Sequence, residues 1–596
     1  MPSPIEDYAL LSDCETAALV ARDGSIDWLC WPRFDGGACF AALLGTPEHG
    51  RWQIAPQDST ARTRRRYLPD TLILETEFQT ATGAVRLVDF MPLRDQGSSV
   101  IRLVLGMTGQ VAMQTELVVR FDYGNWVPWV TKLEDGALSA VAGPHRLTLR
   151  APVALRGEEF KTVGEFTVTA GQRVEFVLSY SESHRDPPPA LDSAAALTQT
   201  EQFWREWSTH DNACGEYSKL VKRSLITLKA LTYLPTGGIV AAATTSLPEQ
   251  PGGTRNWDYR FCWLRDATFT LQALMNGGHF QEAQAWRDWL LRALAGDPAQ
   301  VQIMYGIAGE RRLTEWEVPW LPGYRGARPV RIGNAAAEQV QLDLYGEVVD
   351  TMHHARLNQL SSHAAGWPLQ IKLLEHLESM WEQPDRGMWE IRGEPRHFTH
   401  SKVMAWVAFD RSIRSAEQFH LDGPVEHWKR LRAHIHEQVC HRAYNPELGA
   451  FTQSYDACEL DASELLMAHV GFLPATDPRI RGTVEAIGRD LMVDGLILRY
   501  RTEQGVDGLP PGEGVFLACS FWYADNLILL DRRPEARRLF ERLVCLCNDV
   551  GLLAEQYDCR RATLLGNFPQ AFSHVALINT AYNLVHATGP ARQRSA

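Results

Sequence analysis

Four stretches share one local form: Asp385-Arg386-Gly387-Met388-Trp389-Glu390, Glu447-Leu448-Gly449-Ala450-Phe451-Thr452, Asp494-Gly495-Leu496-Ile497 and Asp549-Val550-Gly551-Leu552-Leu553. Each is a turn with glycine followed by an apolar pair. Weak self-similarity at a regular spacing is what stacked helical hairpins leave in a sequence. From about Tyr217 to the end the apolar period is helical. Twelve helices are expected, at 217–234, 266–277, 279–295, 342–359, 364–382, 400–415, 425–440, 461–471, 477–491, 517–531, 534–548 and 571–586. Short links between them alternate with six long segments, at 249–265, 296–341, 383–399, 441–460, 492–516 and 549–570. Six hairpins with their long loops on the same end close into a double ring of helices with one mouth. An open helical solenoid is the alternative, and the six long loops favour closure.

Upstream the pattern is different. From about Tyr8 to Tyr180, short runs alternate apolar and polar residues and are split by turn residues. Examples are Ser25–Trp31, Leu72–Gln79, Val85–Phe90, Val100–Met107, Gln114–Phe121, His145–Leu149, Gly164–Thr169 and Val174–Tyr180. Asp23-Gly24 and Thr82-Gly83 stand where hairpin turns fall. So many consecutive strands imply an antiparallel sandwich. The alternation stops at Asp186-Pro187-Pro188-Pro189, and Asp192–Trp207 reads as an amphipathic helix packed on both halves. The expected division is 1–185 sandwich, 186–215 helical linker and 216–590 helical ring.

At 596 residues the chain is too long for one core. A formal net charge of −13 argues against nucleic acid or an anionic membrane as partner. The eleven cysteines form no CxxC pair and read as reduced thiols of a cytoplasmic protein. Met1 to Glu15 lacks the basic and apolar regions of a signal peptide, and no apolar run is long enough to span a bilayer. Nineteen tryptophans supply flat faces suited to sugar rings as readily as to a large core.

Two lone glutamates stand out beside aromatic residues. Glu390 lies between Trp389 and Ile391, an apolar setting that raises a carboxyl pKa and suits a proton donor. Glu555, ahead of Gln556, Tyr557 and Asp558, has a more polar setting suited to an ionised base. Hydrolysis of a glycosidic bond needs such a pair. A third stretch runs Asn256-Trp257-Asp258-Tyr259-Arg260-Phe261-Cys262-Trp263-Leu264-Arg265-Asp266. Asp266 either caps the helix that follows or joins Arg265 in clamping vicinal hydroxyls, with Trp257, Tyr259 and Trp263 as the pocket wall. Glu513, in Pro510-Pro511-Gly512-Glu513-Gly514, is another mouth-loop acid that could bind substrate or replace Glu390 as donor. His436, Cys440 and His441 share a helix face without forming HExxH, so no metal is expected. No GxSxG, Walker loop or dinucleotide fingerprint is present, and no cofactor is implied.

Taken together, the motifs WDYRFCWLRDA, GNAAAEQVQLDLYGEV (333–348), GMWEIRG, HSKVMAW (400–406) and LLAEQYD resemble glycoside hydrolase family fifteen, the glucoamylase and trehalase family. The likeness spans the whole chain, including the amino-terminal PIEDYALLSDCETAALVARDGSIDWLCWPRFD. It implies a β-sandwich followed by an (α/α)6 barrel. It also implies Glu390 of the W-E motif as acid and Glu555 of the E-Q-Y motif as base. Arg265 and Asp266 are similar to the pair that holds the nonreducing glucose, Trp389 lies beside the acid, and Arg501 resembles a further sugar-binding arginine. Fungal glucoamylases carry a second Glu after the acid where this chain has Ile391, which points away from starch.

Three functions compete. An inverting exo-α-glucosidase needs both carboxylates about 6.5–9.5 Å apart, with water between them. A disaccharide phosphorylase on a similar scaffold would lack Glu555 and carry a phosphate nest. A non-catalytic sugar binder needs the aromatics but neither acid. The first is the expected function, on a small α-glucoside. Trehalose leads over maltose, isomaltose and short α-glucans, because the sequence after His586 is a short polar tail rather than a starch-binding module. The 296–341 segment, with Trp316, Trp320 and Tyr324, is expected to roof the pocket. Phe34 and Asp35 are expected nearest the mouth from the sandwich. The residues do not fix an oligomeric state.

Overall fold

The computed structural model describes residues 2–94, 97–210, 212, 214–360, 366–587 and 589–595. The alternating amino-terminal half forms two layers of wholly antiparallel strands between Tyr8 and Glu182. The layers are joined by one 20-residue strand, Ser99–Val118. Its first half pairs with Gly83–Phe90 and Arg173–Glu182, and its second half with Arg51–Pro56 and Lys161–Thr169. The runs expected as separate strands at 100–107 and 114–121 are therefore one strand that changes sheets. Glycine is required at the crossing: a Cβ on Gly106 would lie 1.9 Å from the Thr169 carbonyl oxygen.

The linker helix, Ser193–Ser208, is capped by Asp192, whose carboxylate accepts from the amides of Ala194 and Ala195. It does pack on both halves. Ala196 joins Ile73, Val88 and Phe90 of the sheet, while Trp207 stacks on His279, ring centroids 3.9 Å apart.

All twelve expected helices are present. They are α1 Ser218–Ala230, α2 Ala267–Asn276, α3 Phe280–Leu294, α4 Asp343–Leu357, α5 Gly366–Met380, α6 Thr399–Phe419, α7 Val425–Arg442, α8 Leu466–His469, α9 Pro478–Asp490, α10 Leu517–Leu529, α11 Arg533–Val544 and α12 Ala571–Val585. The expected start of α5, at 364 and 365, lies outside the described residues. The even-numbered helices contact one another in sequence, and α12 returns to α2, so the inner ring closes. The odd-numbered helices pack outside them. Closure explains the burial pattern: α10, α12 and α2 are apolar almost all round because they face the ring on one side and the outer helices on the other. Each long segment runs from an outer helix to the next inner one, which puts all six at one end.

The polar tail contains a further helix that the sequence reading did not expect. Pro590–Ser595 packs under the inner ring against α8, α10 and α12. Arg594, 2 % exposed, bonds to Glu347 at 2.7 Å and Asp350 at 2.5 Å and lies 4.4 Å from the centre of the Phe269 ring. Among the described residues no helix is long and apolar enough to cross a membrane.

Candidate active site

At the mouth of the ring lies a pocket. Five of the six long segments line it. Segment 249–265 gives Glu249, Arg255, Trp257, Tyr259, Trp263 and Arg265. Segments 383–399 and 549–570 give Trp389 to Arg392 and Glu555. Segment 492–516 gives Arg499, Tyr500 and Asp507, and 296–341 gives Asn334. The expected glutamates thus share one cavity with the expected aromatics.

Glu390 sits in a turn with a left-handed backbone, φ 59°, a conformation that a non-glycine residue holds only when its surroundings fix it. The fixing contacts are present. The Trp263 indole N–H donates to Glu390 Oε1 at 2.6 Å, and the Arg265 guanidinium reaches the same oxygen at 3.2 Å. Gln339 donates to the main-chain carbonyls of Glu390 and Ile391. Burial raises the Glu390 carboxyl above its ordinary pKa, and the Arg265 charge and the Trp263 bond work against that rise.

Glu555 stands just before a short strand, Gln556–Asp558, held between Val515–Phe516 and Thr563–Leu565. Its setting is polar, as expected, but enclosed. The residue is 1 % exposed, and its Oε1 accepts a 2.6 Å bond from the Tyr259 hydroxyl. Burial and the neighbouring Glu249 push its pKa up to about 8, with Glu513 adding to the rise and Tyr259 and Arg499 opposing it. The carboxylate is shut away from water but keeps charged and hydroxyl neighbours, Glu249, Arg499 and Tyr259, from other segments of the chain. Its other oxygen faces Gly566, where a Cβ would lie only 2.4 Å away. The rings that hold the two glutamates touch: Tyr259 and Trp263 pack edge-to-face with centroids 5.3 Å apart.

Asp266 precedes α2 but does not cap it. Its carboxylate instead accepts from Arg265 Nε at 3.0 Å, and Arg265 is the member of the pair that lines the pocket. Trp389 faces the pocket and donates its N–H to Asp461 at 2.9 Å. Glu513 does not line the pocket; it is buried in an ion pair with Arg499.

The structure corrects the choice of Arg501. That side chain turns outward to the Asp490 carbonyl, and Arg499, two residues earlier, is the arginine in the pocket, with its guanidinium 5.3 Å from the Trp389 ring centre. The expected roof is corrected too. Trp320 donates to the Tyr123 carbonyl, Tyr324 bonds to Ser3, and Trp316 packs edge-on to Tyr123, so all three seat the segment on the sheet domain. Phe34 and Asp35 do not reach the pocket; the Phe34 and Gly36 carbonyls instead receive Arg260. His436 packs on Phe472, and no group of three or more His, Cys, Asp or Glu placed to hold a metal ion occurs among the described residues.

The sequence reading also missed Glu249, Arg255, Arg499 and Asp507. Glu249 accepts from the Trp257 indole at 3.0 Å and from Arg499 at 3.0 Å. Arg255 pairs with Asp507 at 2.6 Å. The available signal was their place on segments 249–265 and 492–516, already marked as mouth loops.

Comparison with known proteins agrees with this geometry. The family profile described as glycosyl hydrolases family 15 matches residues 215–582, and one described as trehalase-like, N-terminal matches residues 1–178. The chain belongs to glycosyl hydrolases family 15. A trehalase of Mycolicibacterium smegmatis is 38% identical, with 98% of this chain and 92% of that protein aligned. A trehalase of Thermoplasma volcanium is 34% identical, with 98% of this chain and 94% of that protein aligned. Among solved structures, a bacterial glucoamylase complexed with acarbose superposes with a TM-score of 0.75 over 98% of this chain and 94% of its own, at 13% identity; that likeness concerns the fold. As a family 15 member the protein is a glycoside hydrolase acting on O-glycosyl bonds of a sugar substrate, built as a β-sandwich followed by an (α/α)6 barrel.

Proposed function

We propose that this hydrolase is an inverting, exo-acting α-glucosidase whose substrate is α,α-trehalose and whose first product includes β-glucose. The observation that carries the proposal is the pair of buried glutamates in one pocket, each held by its own aromatic donor. In this reading Glu390 protonates the leaving oxygen and Glu555 activates water on the other face of the sugar. Arg265 and the Tyr259, Trp263 and Trp389 rings bind the nonreducing glucose. The substrate choice rests on the trehalases among the relatives; a glucoamylase-like α-glucosidase acting on maltose, isomaltose or short α-glucans is the alternative. Residues 216–590 would carry the chemistry, with 1–185 bracing it through Arg260. Eleven free cysteines support a reducing, cytoplasmic setting.

The proton affinities favour a second reading, with the roles exchanged, because Glu555 is the carboxyl pushed up to about 8. Two assays separate the readings. α-Glucosyl fluoride needs no proton donor, so a variant lacking the acid retains turnover on it while a variant lacking the base does not. Azide replaces the base-activated water, so it rescues the base variant alone and yields β-glucosyl azide. We expect Glu390→Gln to keep fluoride turnover and azide to rescue Glu555→Ala; the reverse pattern exchanges the roles. Proton NMR of the first turnovers on trehalose tests the stereochemistry. Two α-glucose molecules per trehalose would end the inverting reading.

A further inference from the structure

Three of the mouth segments meet on a single indole. Trp257, from 249–265, has the Arg331 guanidinium 4.6 Å and the Arg392 guanidinium 4.8 Å from its ring centre. Arg331 comes from 296–341 and Arg392 from 383–399. Two like charges against one ring repel each other, and a carboxylate sits where it can offset both. Glu315 reaches Arg331 with one oxygen and Arg392 with the other, each at 3.5 Å. Its second oxygen also accepts the Ala335 amide at 3.1 Å.

The four residues differ in what they face. Trp257 and Arg392 line the pocket, whereas Glu315 and Arg331 stand behind them. The main chain of Arg392 is pinned, because its amide and that of Gly393 both donate to the Asp507 carbonyl, at 2.8 and 2.9 Å. Arg331 is pinned as well, donating to the Thr254 and Asn256 carbonyls. The Arg392 side chain, at 28 % exposure the most open of the three charged groups, is therefore the part free to swing. Arg392 stands two residues after Glu390 and lines the same pocket.

We propose that Glu315, Arg331, Arg392 and Trp257 form a three-loop clamp that limits how much sugar the pocket admits beyond the scissile bond. Arg392 and Trp257 meet the departing sugar, and Glu315 is the positioning residue that keeps Arg392 folded against the indole. This rests on the α-glucosidase reading above and adds the feature that separates a disaccharide from a longer chain. Without the Glu315 charge the two guanidinium groups repel unopposed, Arg392 swings toward solvent, and the rim opens to further glucose units.

The test compares wild type, Glu315→Gln and Glu315→Asp on trehalose, maltotetraose and α-glucosyl fluoride. Subsite contacts of this kind change selectivity by at least about tenfold. We expect the kcat/KM ratio of trehalose to maltotetraose to fall at least tenfold in Glu315→Gln and to recover most of the way in Glu315→Asp. Turnover of the fluoride, which has no departing sugar, should stay within about twofold throughout. An unchanged ratio in Glu315→Gln, with wild type active on disaccharides, overturns the clamp alone. So does a fall in fluoride turnover that tracks the fall on trehalose, which would mark general damage. A wild type inactive on every α-glucoside overturns both the clamp and the reading beneath it.

Discussion

Replacing Tyr259 with Phe tests the role of Glu555 most directly. The substitution deletes one hydroxyl, which donates to Glu555 Oε1 at 2.6 Å and opposes the rise in its pKa. Burial and the surrounding acids hold the tyrosine itself well above its ordinary pKa, so it remains a donor. A buried hydrogen bond to a charged group is worth about 1.5–3 kcal/mol, and one pKa unit corresponds to about 1.36 kcal/mol. Loss of the bond should therefore move Glu555 up by about 1–2 units from its value near 8. If Glu555 must be ionised to act, kcat/KM at pH 7 falls about 10–100-fold, since that parameter follows the free enzyme. The deficit is constant at lower pH and closes as the pH passes the new pKa. Glu249→Gln removes the largest neighbouring charge that raises Glu555 and should act in the opposite sense, with higher relative activity on the acid side. The assay is kcat/KM on trehalose from pH 5 to 10 for the three proteins. A wild-type-to-Phe ratio near one at pH 6, or one that does not change with pH, would refute the assignment of Glu555 as base.

Glu390→Gln and Glu555→Gln should each lose about 10²–10⁴ in kcat on trehalose while keeping the wild-type circular dichroism spectrum; near-normal turnover in either contradicts the site. Gly566→Ala places a methyl 2.4 Å from Glu555 Oε2 at a φ of +74°, and a shift of the base near 1 Å costs about 10² in kcat; unchanged kcat would mean that this oxygen is not positioned for catalysis. Asp343 is buried beside Asp385 with neither carboxylate oxygen hydrogen-bonded among the described residues, and burial pushes its pKa up to about 8. Its folded pKa exceeds its unfolded one, so the charge removes stability as pH rises from about 4 to about 8. Asp343→Asn should match wild type near pH 4 and exceed its Tm by about 2 °C or more at pH 8, by scanning calorimetry; a lower Tm at pH 8 would show that the charge is stabilising.

Much of the fold was legible because the apolar period changes from two to about 3.6 near Tyr217, and because long loops sit only between outer and inner helices. The sheet-switching strand was split in two because its middle, around Gly106 and Gly109, is partly exposed and carries no alternation. The last helix left no signal, since its six residues carry no apolar period and its support comes from Glu347 and Asp350, more than two hundred residues away. In the pocket, the aromatic-rich run 256–266 and the two W-E and E-Q-Y glutamates were readable as compact local patterns. The pairs Arg255–Asp507 and Arg499–Glu249 were not, because their partners are 252 and 250 residues apart and look like ordinary surface charges. Trp316, Trp320 and Tyr324 misled because an aromatic cluster announces a buried contact without saying on which side.

The strand that changes sheets also has a bearing on how the chain folds. Ser99–Val118 takes Arg51–Pro56 on one flank and Lys161–Thr169 on the other in one layer, and pairs with Gly83–Phe90 and Arg173–Glu182 in the next. Neither layer can be completed, or lost, without this segment, so the two should melt as one cooperative unit. Three of its four partners, Arg51–Pro56, Lys161–Thr169 and Arg173–Glu182, lie far from it along the chain, and bringing such distant segments together is entropically slow. Individual helices need only contacts a few residues apart, although closing the ring of α12 on α1 and α2 joins segments more distant than any pairing in the sandwich. Refolding from denaturant should therefore recover helical ellipticity ahead of sheet structure. Because Arg260 reaches from the active-site run into the sandwich, catalytic activity should return with the slower phase.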